Sequence, residues 1–242
     1  MNKAKYRGLV LVLGVFFFTF NTSAQVSSAQ IDSLVSLVMK KFNVAGLAVG
    51  VVQDGKIIHS KGYGYADFDK KTETTEHTNF AIASNSKAFT ATAMAILVEE
   101  GILKWNDKVK SILPEFEMYN DYVTQNFTIE DLLCHRSGMG LGQGDLMWFP
   151  DGSDFKIDDM LTAYRHTVPE SAVRTKMEYN NILFFIAGEV IARTSGMSWE
   201  AFIAKRIFEP AGMESSVASI SRIGNLPLAK PHANMAGELK VL

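Results

Sequence analysis

The chain has little of what marks several common protein classes. One cysteine, Cys134, stands among 242 residues, so no intramolecular disulfide can form and a disulfide scaffold is excluded. The five histidines, His59, His77, His135, His166 and His232, show no metal-ligand spacing and read as structural or surface residues. No excess of one charge exists: 24 Lys and Arg meet 26 Asp and Glu, a formal net charge of −2. That balance gives no electrostatic footprint for nucleic acid. No internal repeat or low-complexity segment is present. What remains is ordinary: 47% hydrophobic and 21% charged residues, a globular composition that excludes disordered and collagen-like chains. The length allows one large domain or two small ones.

The first 24 residues read as a leader. Lys3, Lys5 and Arg7 precede a run of 13 mostly apolar residues from Gly8 to Phe20, and Asn21-Thr22-Ser23-Ala24 follows. A basic start, a short apolar centre and a small-residue exit define a secretory signal peptide, with cleavage expected near Ala24. The run is short for a membrane anchor, and no other run approaches a bilayer-spanning length. Removing residues 1–24 leaves 21 basic against 26 acidic residues, a net charge of −5. An exported chain without disulfides suits a bacterial periplasm or secretion, and Cys134 reads as a small buried core residue.

Residues 25–242 show alternating periodicities. Ser27 to Phe42 has helical apolar spacing at Ile31, Leu34, Val35, Leu37, Val38 and Phe42. Leu47–Gln53 and Lys56–Tyr65 are β-rich and flank Asp54-Gly55, which predicts a hairpin. Asp67 to Thr78 is polar and reads as a loop. Ser84 to Gly101 is apolar on nearly all sides, the pattern of a buried helix ending at a glycine. Thr128 begins another helix, with Glu130 and Asp131 in its first turn. The glycines at 138, 140, 142 and 144 mark a loop; no Gly-Lys-Ser/Thr follows that would make it a phosphate cradle. Trp148 and Phe149 read as core residues or as the rim of a cleft. Tyr179–Ser195 and Trp199–Phe208 complete the predicted helices.

Two short patterns carry chemistry. Ser84-Asn85-Ser86-Lys87 is S-x-x-K at the head of the buried helix, and residues three apart share a helical face. The Lys87 nitrogen can therefore reach the Ser84 hydroxyl, a weak nucleophile until a neighbouring base accepts its proton. The same four residues also make a plain helix start, with Ser84 as cap and Lys87 in solvent. Tyr179-Asn180-Asn181 precedes a second apolar helix. A tyrosine near a cation can shuttle a proton, and an asparagine can hold an amide or orient the lysine. Equally, Tyr179 can simply pack and Asn181 cap the helix.

The flanks of both patterns resemble one family. Phe80-Ala81-Ile82-Ala83-Ser84-Asn85-Ser86-Lys87 is similar to the nucleophile segment of the serine β-lactamase and penicillin-binding superfamily. So are Leu47 to Lys56, Lys61 to Asp67, and Thr128 to Met139. Tyr179-Asn180-Asn181 is similar to the Tyr-x-Asn box of the class C branch and its esterase and D-peptidase relatives. The class A Ser-Asp-Asn box and its separate deacylating glutamate are absent. The resemblance runs from about Val44 to Gly212 and implies an α+β fold, an antiparallel sheet with a helical subdomain. It also implies that Ser84 is acylated, that Lys87 and Tyr179 shuttle its proton, that Asn181 contacts the substrate amide, and that the Ser84 N–H supplies half of an oxyanion hole. No metal or other cofactor is implied. The substrate would be a small molecule or peptide with an amide or ester: a β-lactam, a D-amino-acid peptide or a small ester.

One departure stands out. The family carries a third box, Lys- or His-Thr/Ser-Gly, on a strand after the Tyr-x-Asn box, and nothing after Asn181 matches it in strand context. Arg136-Ser137-Gly138 comes too early and Thr194-Ser195-Gly196 ends a helix. The expectation is that the family's C-terminal strands are missing from 25–242, leaving strand 47–53 with an unpaired edge that invites an oligomer or a complementing fragment. A second function follows: an incomplete β-lactamase-like fragment that binds cell-wall peptide or a partner without turnover.

Overall fold

The computed structural model describes residues 26–149 and 154–242. The leader read in residues 1–24 lies outside them. Helix α1 spans Ser28–Phe42. It starts in a capping box, Ser27 and Gln30 each accepting from the other's backbone N–H, and stops at Asn43, whose φ of 49° is left-handed. Ile31 and Val35 are its buried residues, on the side turned to the sheet.

Strands β1 (Gly46–Gln53) and β2 (Lys56–Asp67) form the predicted antiparallel hairpin. Asp54 and Gly55 both take positive φ, 51° and 72°, as a two-residue turn of matching twist demands. A bulge at Val51/Val52 shifts the register once. Where a loop is predicted, Thr72–Glu73 forms a two-residue strand, β3, that pairs Tyr65 with Glu73 and Asp67 with Thr72. The sheet order is β1-β2-β3, so β1 lies at an edge among the described residues.

Gly64 is a tight point of β2. Its φ is 66°, and a methyl group there would collide with the Ala45 carbonyl. Gly64→Ala is expected to cost at least about 1–2 kcal/mol, a fall of roughly 2–8 °C in Tm by thermal unfolding.

The helical layer follows: α2 (Ser86–Glu99), α3 (Val109–Ile112), α4 (Asp121–Asn126), α5 (Ile129–Leu133), α6 (Ile157–Thr162), α7 (Ile182–Ser195) and α8 (Trp199–Ile203). Helix α7 is its centre and meets α2, α3, α5, α6 and α8. Ile182, Leu183, Ile186, Ala187, Val190 and Ile191 are all fully buried on it. Around them Met94, Leu97, Phe116, Phe127, Leu132 and Phe202 close the core. Trp199 ties α8 to α2 by donating Nε1–H to Thr90 Oγ1 at 3.1 Å.

Two boundaries differ from the sequence reading. Ser84 lies in a separate 3₁₀ turn, Ala83–Asn85, and α2 starts only at Ser86. Tyr179 to Asn181 lie outside α7, which starts at Ile182. Cys134 also differs: it is exposed, because α5 ends at Leu133 and the cysteine caps it on the solvent side. Beyond the helices, β4 (His232–Met235) and β5 (Glu238–Val241) form a second hairpin that the sequence reading did not resolve. It meets the end of β2, where the Phe68 N–H donates to His232 Nε2 at 3.1 Å and the Lys230 N–H to the Ala66 carbonyl at 2.8 Å.

Candidate active site

The packing of α2 against α7 brings the residues just before each helix together. Ser84 and Tyr179, 95 positions apart, meet with their hydroxyls 2.6 Å apart. Lys87, one turn along from Ser84, donates Nζ–H to Ser84 Oγ at 3.2 Å and to Asn181 Oδ1 at 2.8 Å. Its nitrogen also lies 4.8 Å from the centre of the Tyr179 ring. All four residues singled out in the sequence therefore share one cluster. Ser84 is exposed; Lys87, Tyr179 and Asn181 are half-buried.

An ammonium only donates, so with Lys87 charged the Ser84 oxygen accepts from it. Either hydroxyl can donate in the Ser84–Tyr179 bond; with Tyr179 as the phenolate, the Ser84 proton points at the Tyr179 oxygen. Tyr179 is suited to receive it. Burial alone would raise its phenol, but hydrogen bonds from Lys87 and Ser84, with the Lys87 charge, outweigh burial and bring it below the usual tyrosine value. Just before Ser84, Ala83 holds a φ of 44°, which projects the serine turn ahead of α2.

A second ring of residues holds the cluster, and the sequence reading identified none of them as such. Asn180, fully buried, fills every valence of its amide. Its Oδ1 accepts from Tyr164 Oη at 2.5 Å and the Leu183 N–H at 3.4 Å, and its Nδ2 donates to the carbonyls of Gly140 and Gln143 at 3.3 and 3.1 Å. The His135 ring lies tilted against Tyr179 with ring centres 4.4 Å apart, and its Nδ1 accepts the Asn180 N–H at 3.2 Å. Burial, then the nearby Lys87 charge, lowers the His135 imidazole below its ordinary value and favours the neutral ring. Asp145 receives the Asn181 amide: Nδ2 donates to its two oxygens at 3.1 and 3.2 Å. Trp148, half-buried, lies against Phe185 of α7 at 5.5 Å and beside the exposed Phe149, so the aromatic pair borders this loop.

Among the described residues, no three His, Cys, Asp or Glu side chains gather to hold a metal ion. No helix among them is long and apolar enough to cross a membrane.

A sheet beside a helical layer, with a serine, lysine, tyrosine and asparagine at two helix starts, is the arrangement of the serine β-lactamase and penicillin-binding-protein-like superfamily. Residues 31–235 match the beta-lactamase family, and the chain belongs to it. Protein flp of Staphylococcus aureus (strain MW2) is 30% identical over 190 residues, 78% of this chain and 38% of that protein. The unguisins hydrolase ungD' of Aspergillus campestris is 30% identical over 192 residues, 77% of this chain and 36% of that protein. Among solved structures, the octameric penicillin-binding protein homologue from Pyrococcus abyssi superposes with a TM-score of 0.76 at 26% identity, covering 89% of this chain and 50% of that one. The chain thus spans less than two-fifths of these curated relatives and half of the solved one.

Proposed function

We propose that the chain carries the acylation centre of a serine acyl hydrolase. The observation that carries this reading is the Ser84 hydroxyl held between Tyr179 Oη at 2.6 Å and Lys87 Nζ at 3.2 Å. Ser84 Oγ attacks the carbonyl carbon of an amide or ester while its proton passes to the Tyr179 phenolate. Lys87 stabilises that phenolate and stays charged. The tetrahedral oxyanion lies at the head of α2, where the Ser84 N–H donates to it. The leaving amine or alkoxide then takes the proton from Tyr179, and the acyl group remains on Ser84. Water enters by the same route, its proton going to Tyr179, and the acid is released as Ser84 recovers its proton. Asn181 orients Lys87, since both ends of its amide are engaged within the cluster. Substrates of this reading are acyl donors without a metal requirement: β-lactams, D-amino-acid peptides or small esters. The hydrolase name of the fungal relative supports the reaction class.

Incubation of the full chain with a fluorescent penicillin and with a fluorophosphonate, followed by peptide mass spectrometry, tests this reading. Added mass on Ser84 and its loss in Ser84→Ala are the expected results. Labelling that survives in Ser84→Ala, or no label with either reagent, rejects it. Retained binding of a cell-wall peptide in that last case would favour a binding fragment.

A further inference from the structure

We propose that Asp145 is a positioning residue for the Ser84 reaction: its carboxylate dictates which end of the Asn181 amide faces Lys87. The inference rests on the acyl-transfer reading above and adds to it a residue from a separate loop. An asparagine amide has an accepting end and a donating end, which a half-turn of the side chain exchanges. An ionised carboxylate only accepts and an ammonium only donates. Asn181 lies between one of each. Its Nδ2 donates to Asp145 Oδ1 at 3.1 Å and Oδ2 at 3.2 Å, and its Oδ1 accepts from Lys87 at 2.8 Å. Only this orientation satisfies both neighbours. The reverse would set NH₂ against the ammonium and a carbonyl oxygen against the carboxylate.

Asp145 is itself held for this task. It opens a 3₁₀ turn, Asp145–Met147, directly after Gly144, whose φ is 88°. A methyl group at Gly144 would come within 2.6 Å of Ile182 Cγ1, so the glycine lets the turn lie against the start of α7. On one side the loop is pinned by Asn180 through the Gln143 and Gly140 carbonyls. On the other, Trp148 donates Nε1–H to Asp145 Oδ1 at 3.4 Å and lies on Phe185. The carboxylate therefore reaches Lys87 through one amide, and holds that lysine at Ser84 without touching the reacting atoms.

The test is a double-mutant cycle on the second-order rate of fluorophosphonate labelling of the full chain. Asp145→Asn and Asn181→Ala should each slow labelling on the order of 10–100-fold, the usual result of a misplaced reacting group. If Asp145 acts through Asn181, the double variant labels no more slowly than Asn181→Ala alone. Additive losses, or an unchanged rate in Asp145→Asn, overturn the inference. A wild-type rate in Ser84→Ala rejects the acyl-transfer reading instead, whatever Asp145 does. A readout that needs no chemistry keeps the two apart. The Asn181 side-chain amide signal in a heteronuclear NMR spectrum, assigned from its loss in Asn181→Ala, should shift in Asp145→Asn. An unmoved signal also overturns the inference.

Discussion

Tyr179→Phe is expected to slow acylation of Ser84 on the order of 10²–10⁴-fold, the usual contribution of a positioned general base. The ring survives the change, so its contact with His135 at 4.4 Å keeps the local frame intact while the proton acceptor disappears. The pH dependence gives the sign. The phenolate is the working form, and burial of Tyr179, which raises the phenol, is outweighed by the Lys87 and Ser84 hydrogen bonds and the Lys87 charge. The wild-type rate should therefore rise with pH through a midpoint below the ordinary tyrosine value of 10.0. Tyr179→Phe should lose that rise. Lys87→Met should move it to higher pH, because two of the lowering influences leave with the ammonium. Stopped-flow labelling across a pH series measures all three. A Tyr179→Phe chain that labels like wild type would assign the proton to another group.

The largest expected effect on stability lies at Asp131. Its carboxylate is fully buried and takes bonds from two arginines and one backbone segment. Arg136 Nε donates at 2.6 Å and Arg174 at 3.0 and 2.5 Å, while the Thr128 N–H and Oγ–H donate at 2.9 and 2.8 Å. Burial would raise this acid, but the bonds from Arg174, Thr128 and Arg136 overcome it and bring it down from 3.8 to about 2. A lowered carboxyl contributes its stability above the unfolded value and gives it up as pH falls through the folded one. Some 2 kcal/mol should thus vanish between about pH 4 and pH 2. Asp131→Ala opens the helix cap and takes from two guanidinium groups their shared buried partner, leaving Arg136 with Glu130 and Arg174 with the Asn126 carbonyl. It should cost about 3–5 kcal/mol at neutral pH, a large part of an ordinary domain's stability. Urea unfolding at pH 6 and pH 3 checks both statements. An unchanged midpoint at pH 6 would show that the two arginines find other partners. The site would feel the loss, because Arg174 donates its N–H to the Arg136 carbonyl beside His135, which supports Tyr179.

The residues that touch the Ser84 hydroxyl are legible through the resemblance of their flanks to the serine β-lactamase and penicillin-binding superfamily, since the two short patterns alone fit plain helix starts as well. Ser84 and Lys87 are three apart, and Tyr179 and Asn181 precede an apolar helix that packs on α2. The hairpin was legible from Asp54-Gly55, and α5 from Thr128 and its acid pair. What escaped lies where no periodicity operates. Strand β3 has two residues in a polar stretch, and its pairing depends on β2. Asp145 is one acid in a glycine-rich loop, and its use is set by an amide 36 positions later. His135 reads as a structural histidine, and its lack of a bond to Ser84 agrees with that, but its place against Tyr179 is a tertiary fact. Cys134 reads as a core residue on residue type alone, and the early end of α5 leaves it in solvent.

Asn180 occupies the position that the Tyr-x-Asn pattern leaves blank, yet its side chain has the least freedom of the three. Two carbonyls require a donor from it, and a phenol and an N–H require an acceptor. Only a carboxamide of that length meets all four demands. Aspartate would turn an anion toward the Gly140 and Gln143 carbonyls, and leucine would leave the Leu183 N–H without its acceptor and the Tyr164 hydroxyl with only the Gln143 carbonyl at 3.3 Å. A change at this position would loosen the Asp145 loop and the start of α7 together, so a thermal-shift screen and an activity screen should rank its variants alike. Selection for a sturdier protein would then have no room at Asn180 to act independently of selection for a faster one.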